Sequence, residues 1–215
     1  MKRFRYLSVF IWIFGFHQLA VSGVYEDFLT AVRLGQTRTV QSLLARGMDP
    51  NTVNEQGVSA IFGAIQNESW AVAEALAAHP RFRPNVRNSA GETPIMLASL
   101  RGQMPLVKAL LAREADINHP GWTPLHYAAT GGHTAIVELL LEESAYIDAA
   151  SPNGTTPVMM AARYGNDRVV KVLVEAGADL FIKNEQGLTA LDFARSLQNE
   201  ASTQLILKSM VERPR

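Results

Sequence analysis

The sequence predicts an all-α solenoid of stacked helix-turn-helix units, and three observations carry that prediction. A short phrase recurs after a glycine, at Gly57, Gly91, Gly121, Gly154 and Gly187, with spacings of 34, 30, 33 and 33 residues. A fixed period of roughly 20–50 residues is the signature of a repeat array. Each phrase leads into two apolar segments of helical spacing. The first and last copies are degraded, as a stack with two solvent-facing ends requires.

The best-preserved copy, GWTPLHYAATGGHTAIVELLLEESAYID from Gly121, shows why each element forms. Thr123 is a helix-capping residue, and Pro124 suits the first helical position because its missing N–H has no partner there anyway. Leu125, Ala128 and Ala129 give a short helix with a slim face, so neighbouring units can approach closely. Gly132 ends it where a left-handed residue is wanted. Ile136, Val137, Leu139, Leu140 and Leu141 form the thicker apolar face of a second helix. Tyr146-Ile147-Asp148 then enters a β-hairpin-like loop that closes at Gly154. Each unit leaves an apolar flank that only the next unit can cover.

The other copies follow in register. GETPIMLASLRGQMPLVKALLAREADIN starts at Gly91 and GTTPVMMAARYGNDRVVKVLVEAGADLF at Gly154. GVSAIFGAIQNESWAVAEALAAH at Gly57 is weaker, and FLTAVRLGQTRTVQSLLARGMDPN before it lacks the opening phrase. The last copy has Thr189-Ala190-Leu191-Asp192. Its second helix carries Glu200, Ser202, Gln204, Lys208 and Ser209, polarity expected of a C-terminal cap. The phrase resembles the ankyrin repeat, whose signature is a Thr-Pro-Leu-His turn followed by two helices. The resemblance covers roughly residues 24–210. It implies one ankyrin-repeat domain over residues 23–215, with units at about 24–56, 57–90, 91–120, 121–153, 154–186 and 187–210.

Two departures stand out. The loop from Ile117 to Gly121 is three residues shorter than its counterpart from Ile147 to Gly154, so that finger should be blunted and leave a notch. Residues 79–88, HPRFRPNVRN, replace the usual Gly-Ala-Asp loop. They read either as a solvated loop or as a basic contact for an acidic partner.

Residues 1–22 differ from the rest: a basic head MKRFR, an apolar run YLSVFIWIFGF, then a polar tail of small residues. This is the layout of a secretory signal peptide, with cleavage expected after Ser22 or Gly23. The alternative is an uncleaved anchor, since residues 6–24 are about long enough to span a membrane, although His17 and Gln18 interrupt them. Cleavage removes Lys2, Arg3 and Arg5 and no acid, leaving seventeen bases against twenty acids, a net charge of −3. Without the basic excess of a nucleic-acid binder, no nucleic-acid partner is expected. The absence of cysteine excludes disulfides, thiolate catalysis and Cys-type zinc sites.

No catalytic motif, cofactor or metal site is expected. His126 and His133 are seven residues apart across a helix end and lack the spacing of an H-E-x-x-H zinc pair. The resemblance places both where they bond backbone at the turns, and gives Asp116, Asp148 and Asp179 the role of holding each finger. Asn67-Glu68-Ser69 and Asn153-Gly154-Thr155 match the glycosylation acceptor pattern. A metal-dependent hydrolase built on these histidines and aspartates is the rival reading.

What the resemblance implies about function is protein binding through finger tips and the inner face of the first helices. The matching positions after the glycine are Glu92, Trp122, Thr155 and Leu188. Late in the first helix they include Leu100, Arg101, Thr130, Arg163 and Tyr164, and Asn153 lies at a tip. Glu92, Trp122, Leu188, Arg101, Thr130, Arg163 and Tyr164 are the candidate protein-binding residues. Trp, Tyr and Arg are the usual interface anchors, though Trp122 could instead pack over the notch. The expectation is a monomeric, non-catalytic module, periplasmic in a bacterium or secreted, with a protein partner and no small-molecule substrate. It would touch membrane only through an uncleaved leader. An effector acting on a host protein is the alternative.

Overall fold

A computed structural model describes residues 23–212. The expected leader, residues 1–22, lies outside the described residues. Two compact units divide the chain, one ending at Phe82 and the other beginning at Arg83. The first contains α1 (residues 23–33), α2 (Thr37–Ala45), α3 (Ala60–Gln66) and α4 (Trp70–Ala77). The second contains α5 (Pro94–Leu100), α6 (Met104–Leu111), α7 (Pro124–Gly131), α8 (Thr134–Glu142), α9 (Pro157–Arg163), α10 (Asp167–Glu175), α11 (Ala190–Ser196) and α12 (Glu200–Glu212). Among the described residues the only β-type pairing is an isolated bridge between Val53 and Ser59. The fold is an all-α repeat solenoid. No described helix is long and apolar enough to cross a membrane.

Most of these helices have seven to nine residues, too few to be stable alone. Packing supplies the difference. In the second unit the first helices stack side by side, α5 on α7, α7 on α9 and α9 on α11, while each hairpin closes on its own second helix. Close stacking needs small residues at the contact. One alanine recurs at the same register, Ala98, Ala128, Ala161 and Ala194, each fully buried. The second helices bury larger side chains. In α8 these are Ile136, Val137 and Leu140, while Leu139 and Leu141 are half-buried flanks of the stripe.

Two left-handed seats recur. Between the helices of each hairpin, Gly102, Gly132 and Gly165 have φ of 69°, 73° and 73°, and Glu68 and Gln198 take the same seat without being glycine. After the second helix, Gly47 and Gly177 share their seat with Glu114 and Ser144.

Neighbouring repeats are also stitched by polar groups that satisfy helix-end carbonyls. His133 donates from Nε2 to the Leu100 carbonyl at 2.9 Å. One repeat on, the Asn166 amide donates to the carbonyls of Ala129 and Thr130 at 2.7 and 3.0 Å. The fingers are linked in the same way. Asn85 Oδ1 accepts the Asp116 N–H, and Asp148 Oδ1 accepts the Asp179 N–H.

The blunted finger has a specific bonding pattern. Asn88 and Asn184, each three residues before a glycine, close their finger tips by accepting N–H groups two and four residues on. Asn118 stands at that position before Gly121. Instead its Oδ1 accepts the Tyr146 N–H and its amide donates to the Ser144 carbonyl. Counted from Ile117 and Ile147, Asn118 is the counterpart of Asp148 and bonds the next finger as Asp148 does, while the three deleted residues take away the position at which Ser151 closes the following tip. Pro152 of the next finger lies 3.8 Å from the position a Gly121 Cβ would take.

One expectation is corrected. Ser202 and Ser209 do not face solvent: they are buried, and the Ser202 hydroxyl donates to Asp167 Oδ1 at 2.6 Å. The solvent face of α12 carries Glu200, Gln204 and Lys208 together with exposed Leu207 and Val211. In the basic loop, the Arg81 guanidinium donates to the carbonyls of Gly47 and Met48 within the first unit, and Arg87 donates to the Gly91 carbonyl within the second. Two of its three arginines therefore close backbone.

Candidate functional site

The Thr-Pro-Leu-His turn at the start of α7 positions one wall of the site. Thr123 presents its N–H at 3.1 Å and its hydroxyl at 2.9 Å to His126 Nδ1. The other ring nitrogen, Nε2, lies 2.9 Å from the Thr155 carbonyl. A carbonyl only accepts, so Nε2 carries the proton and Nδ1 is the acceptor. The ring is fully buried, and burial depresses its pKa to about 4, although the bond to Thr155 opposes that shift. His126 is therefore a neutral structural bridge between repeats, with neither ring nitrogen open to a ligand. Trp122 packs edge-on against it, with ring centroids 5.3 Å apart at 77°.

In the neighbouring repeats methionine stands where His126 does. The Thr93 and Thr156 N–H groups point at Met96 and Met159 sulfurs at 3.2 and 3.4 Å. The buried hydroxyls of Thr93 and Thr156 have no hydrogen-bond partner among the described residues. Thioether sulfur is a weak acceptor, so the turn at Thr123 is the better bonded of the three.

Three rows of side chains run across the first helices of the second unit. One follows the repeat glycine and includes Trp122 and Thr155. A second, four residues after the turn threonine, includes Tyr127 and Met160. A third, late in the helix, includes Leu100, Thr130 and Arg163. Together with Tyr164 and Asn153 these residues line one open cleft of about 350 Å³. Trp122 is half-buried, so packing on His126 uses part of its ring while the remainder lines the cleft. Arg163 holds its guanidinium over the Phe193 ring, 5.7 Å from the centroid. Tyr164 is 54% exposed.

The structure thus brings four candidate residues together: Trp122, Thr130, Arg163 and Tyr164. Glu92 sits behind the cleft. Its Oε1 accepts the Tyr127 hydroxyl at 2.8 Å and its Oε2 accepts the Asn88 amide at 2.8 Å. Burial, reinforced by the bond to Glu92, raises the Tyr127 pKa far above its ordinary value. That phenol is a fixed neutral donor. Arg101 is exposed and Leu188 half-buried, and neither lines the cleft. Tyr127 and Met160 were missed by sequence reasoning. The available signal was their register: both follow the fourth position of the Thr-Pro phrase, on the helix face turned from the stack.

Asp148 shows how the fingers differ from a catalytic pair. Its carboxyl pKa is raised by burial and by the Asp179 charge, against the lowering pull of the Asp179 N–H. Asp179 in turn accepts the Phe181 N–H. These carboxylates hold backbone.

Comparison with known proteins follows the same pattern. A family model described as "Ankyrin repeats (3 copies)" matches residues 28–120, 80–151, 96–184 and 146–212. The chain is 34% identical over 109 residues to "Ankyrin repeat and SAM domain-containing protein 6" of Rattus norvegicus, covering 49% of this chain and 12% of that protein. It is 46% identical over 66 residues to "Ankyrin repeat-containing protein ITN1" of Arabidopsis thaliana, covering 28% and 11%. It is 29% identical over 168 residues to "Putative ankyrin repeat protein YahD" of Escherichia coli (strain K12), covering 59% of this chain and 84% of that protein. The chain therefore spans about a tenth of the two longer relatives and most of the bacterial one. With overlapping matches from residue 28 to 212, the chain belongs to the ankyrin-repeat family, whose members are generally non-enzymatic protein-interaction modules.

Proposed function

We propose that this chain is an exported, non-catalytic module that binds a protein partner through the exposed face of its first helices and its finger tips. The observation that carries the proposal is the cleft, which gathers Trp122, Tyr127, Arg163 and Tyr164 on one surface of the second unit. Tryptophan, tyrosine and arginine dominate binding energy at protein interfaces. The surface is built on packed helices, so little ordering cost opposes binding. The basic-apolar-polar layout of residues 1–22 supports export, to the periplasm of a bacterium or beyond the cell. The proposed module is a monomer with no nucleic-acid or small-molecule ligand.

The test is an in-cell crosslink and pull-down of the tagged full-length protein, read by mass spectrometry. The control is a Trp122→Ala, Arg163→Glu, Tyr164→Ala triple variant. One exported protein recovered with the parent and lost with the variant is expected. Cytosolic proteins dominating the recovery would overturn the export reading. N-terminal sequencing of the recovered chain should begin at Gly23 or Val24.

A further inference from the structure

We infer that the cleft takes an extended segment of the partner in which an apolar side chain is followed, within one or two residues, by Asp or Glu. The inference rests on the protein-binding reading of this surface and adds the chemistry of what it holds.

The cleft combines an apolar floor with a rim of donors. Leu100, Met160 and the open part of Trp122 supply the floor. At the rim, the Asn153 side-chain oxygen accepts the Ser151 hydroxyl at 2.6 Å, which leaves its amide as a donor. The Tyr164 hydroxyl has no partner among the described residues and is exposed. Arg163 carries only donors and has no acidic partner among the described residues, although it lies over the Phe193 ring. The one acid nearby, Glu92, has both oxygens committed to Tyr127 and Asn88. The cleft therefore holds an uncompensated cation, so the matching ligand brings a carboxylate.

The cleft, about 350 Å³, is open on one side, so an apolar side chain projecting from the partner can enter it while the partner's backbone stays outside. In an extended segment, side chains advance by about 3.3 Å per residue. A carboxylate one or two positions from the inserted apolar group thus stays within reach of the Arg163 rim.

The test uses fluorescein-labelled nine-residue Gly/Ser peptides. Each carries a central Phe or Leu followed at the next or next-but-one position by Glu, Gln or Lys, with an amidated C-terminus. Binding to the purified chain and to its Arg163→Glu variant is read by fluorescence polarisation. Circular dichroism of the variant checks that the fold is kept. Glu peptides should bind at least ten-fold tighter than Gln peptides, and Arg163→Glu should reverse the order so that Lys peptides bind best. Equal binding of Glu, Gln and Lys peptides, or an order unchanged by Arg163→Glu, overturns the inference. So does binding that requires a free C-terminal carboxylate and ignores the side-chain Glu. Failure of every peptide also overturns it, and if the pull-down still recovers a partner that the triple variant loses, the module reading stands without the segment chemistry.

Discussion

Both ring nitrogens of His126 are committed across two repeats, and the ring is out of water. Its pKa is about 4 when folded and 6.5 in its ordinary state. Between those values the unfolded chain binds a proton that the folded chain refuses. Stability is therefore fully present above pH 6.5 and is lost as pH falls toward 4, by on the order of 3 kcal/mol. Denaturant midpoints of the parent should fall steeply over that window. His126→Gln should be less stable at pH 7 and show a shallower pH slope; an unchanged slope would remove the assignment. Gly131 makes a second point at this scale. A Cβ there would lie 2.5 Å from the Leu100 carbonyl oxygen and 2.6 Å from the His133 ring. Neither neighbour can yield without moving the stack, so Gly131→Ala should cost about 1–3 kcal/mol. A neutral result in chemical denaturation would mean that α7 and α5 are not in such close contact.

Each helix here is too short to hold itself, so its ends matter as much as its apolar stripe. α11 has the most complete N-terminus. Asp192 Oδ2 accepts the Thr189 N–H at 2.8 Å and its hydroxyl at 2.7 Å, and the Asp192 N–H donates back to Thr189 Oγ1 at 3.4 Å. Those bonds hold the Asp192 carboxyl below the usual carboxylate range. C-terminal ends are weaker in two repeats. Glu114 and Ser144 sit at φ of 59° and 67°, in seats that Gly47 and Gly177 fill elsewhere. An L-residue pays about 1–2 kcal/mol for that conformation, partly offset by the freedom glycine loses on folding. Ser144→Gly and Glu114→Gly should each raise stability by about 0.5–1 kcal/mol in thermal melts. A loss in both would show that the side chains contribute more than the strain. The seat itself was legible in the sequence wherever glycine fills it. Where Glu or Ser fills it, only the backbone angles reveal it.

Within the second unit, stability is passed between neighbours: α9 lies between α7 and α11, and α10 between α8 and α12. Removing residues 187–215 strips the cover from one flank of both. The truncated protein should melt at lower temperature and bind a hydrophobic dye such as ANS, whereas Leu207→Ser on the exposed side of α12 should change little. A truncated chain as stable as the parent would mean that the last helix pair is dispensable. The repeat fold was readable beforehand, because repeat period, capping residues and helix-ending glycines are local properties that each copy restates. The candidate site was partly readable. Trp122, Thr130, Arg163 and Tyr164 converge on the cleft, since their register places them on the face turned from the stack. Arg101 and Leu188 share that register but lie off the cleft, because a position on a face does not set which neighbours a side chain meets.

The sequence by itself determined the family, the repeat fold and the residues that turn and cap its helices, because these depend on spacing and on the conformational preferences of single residues. Tertiary structure decided the rest. Asn118 bonds the next finger although its distance from Gly121 is that of the tip-closing Asn88 and Asn184 from their glycines. Ser202, polar and near the chain's end, turns inward to Asp167. Glu92 spends its charge on Tyr127 and Asn88, leaving Arg163 as the uncompensated cation of the cleft. Each outcome depends on a partner 26–35 residues away, except the Asn88 bond, and a chain read locally carries no record of which distant group arrives.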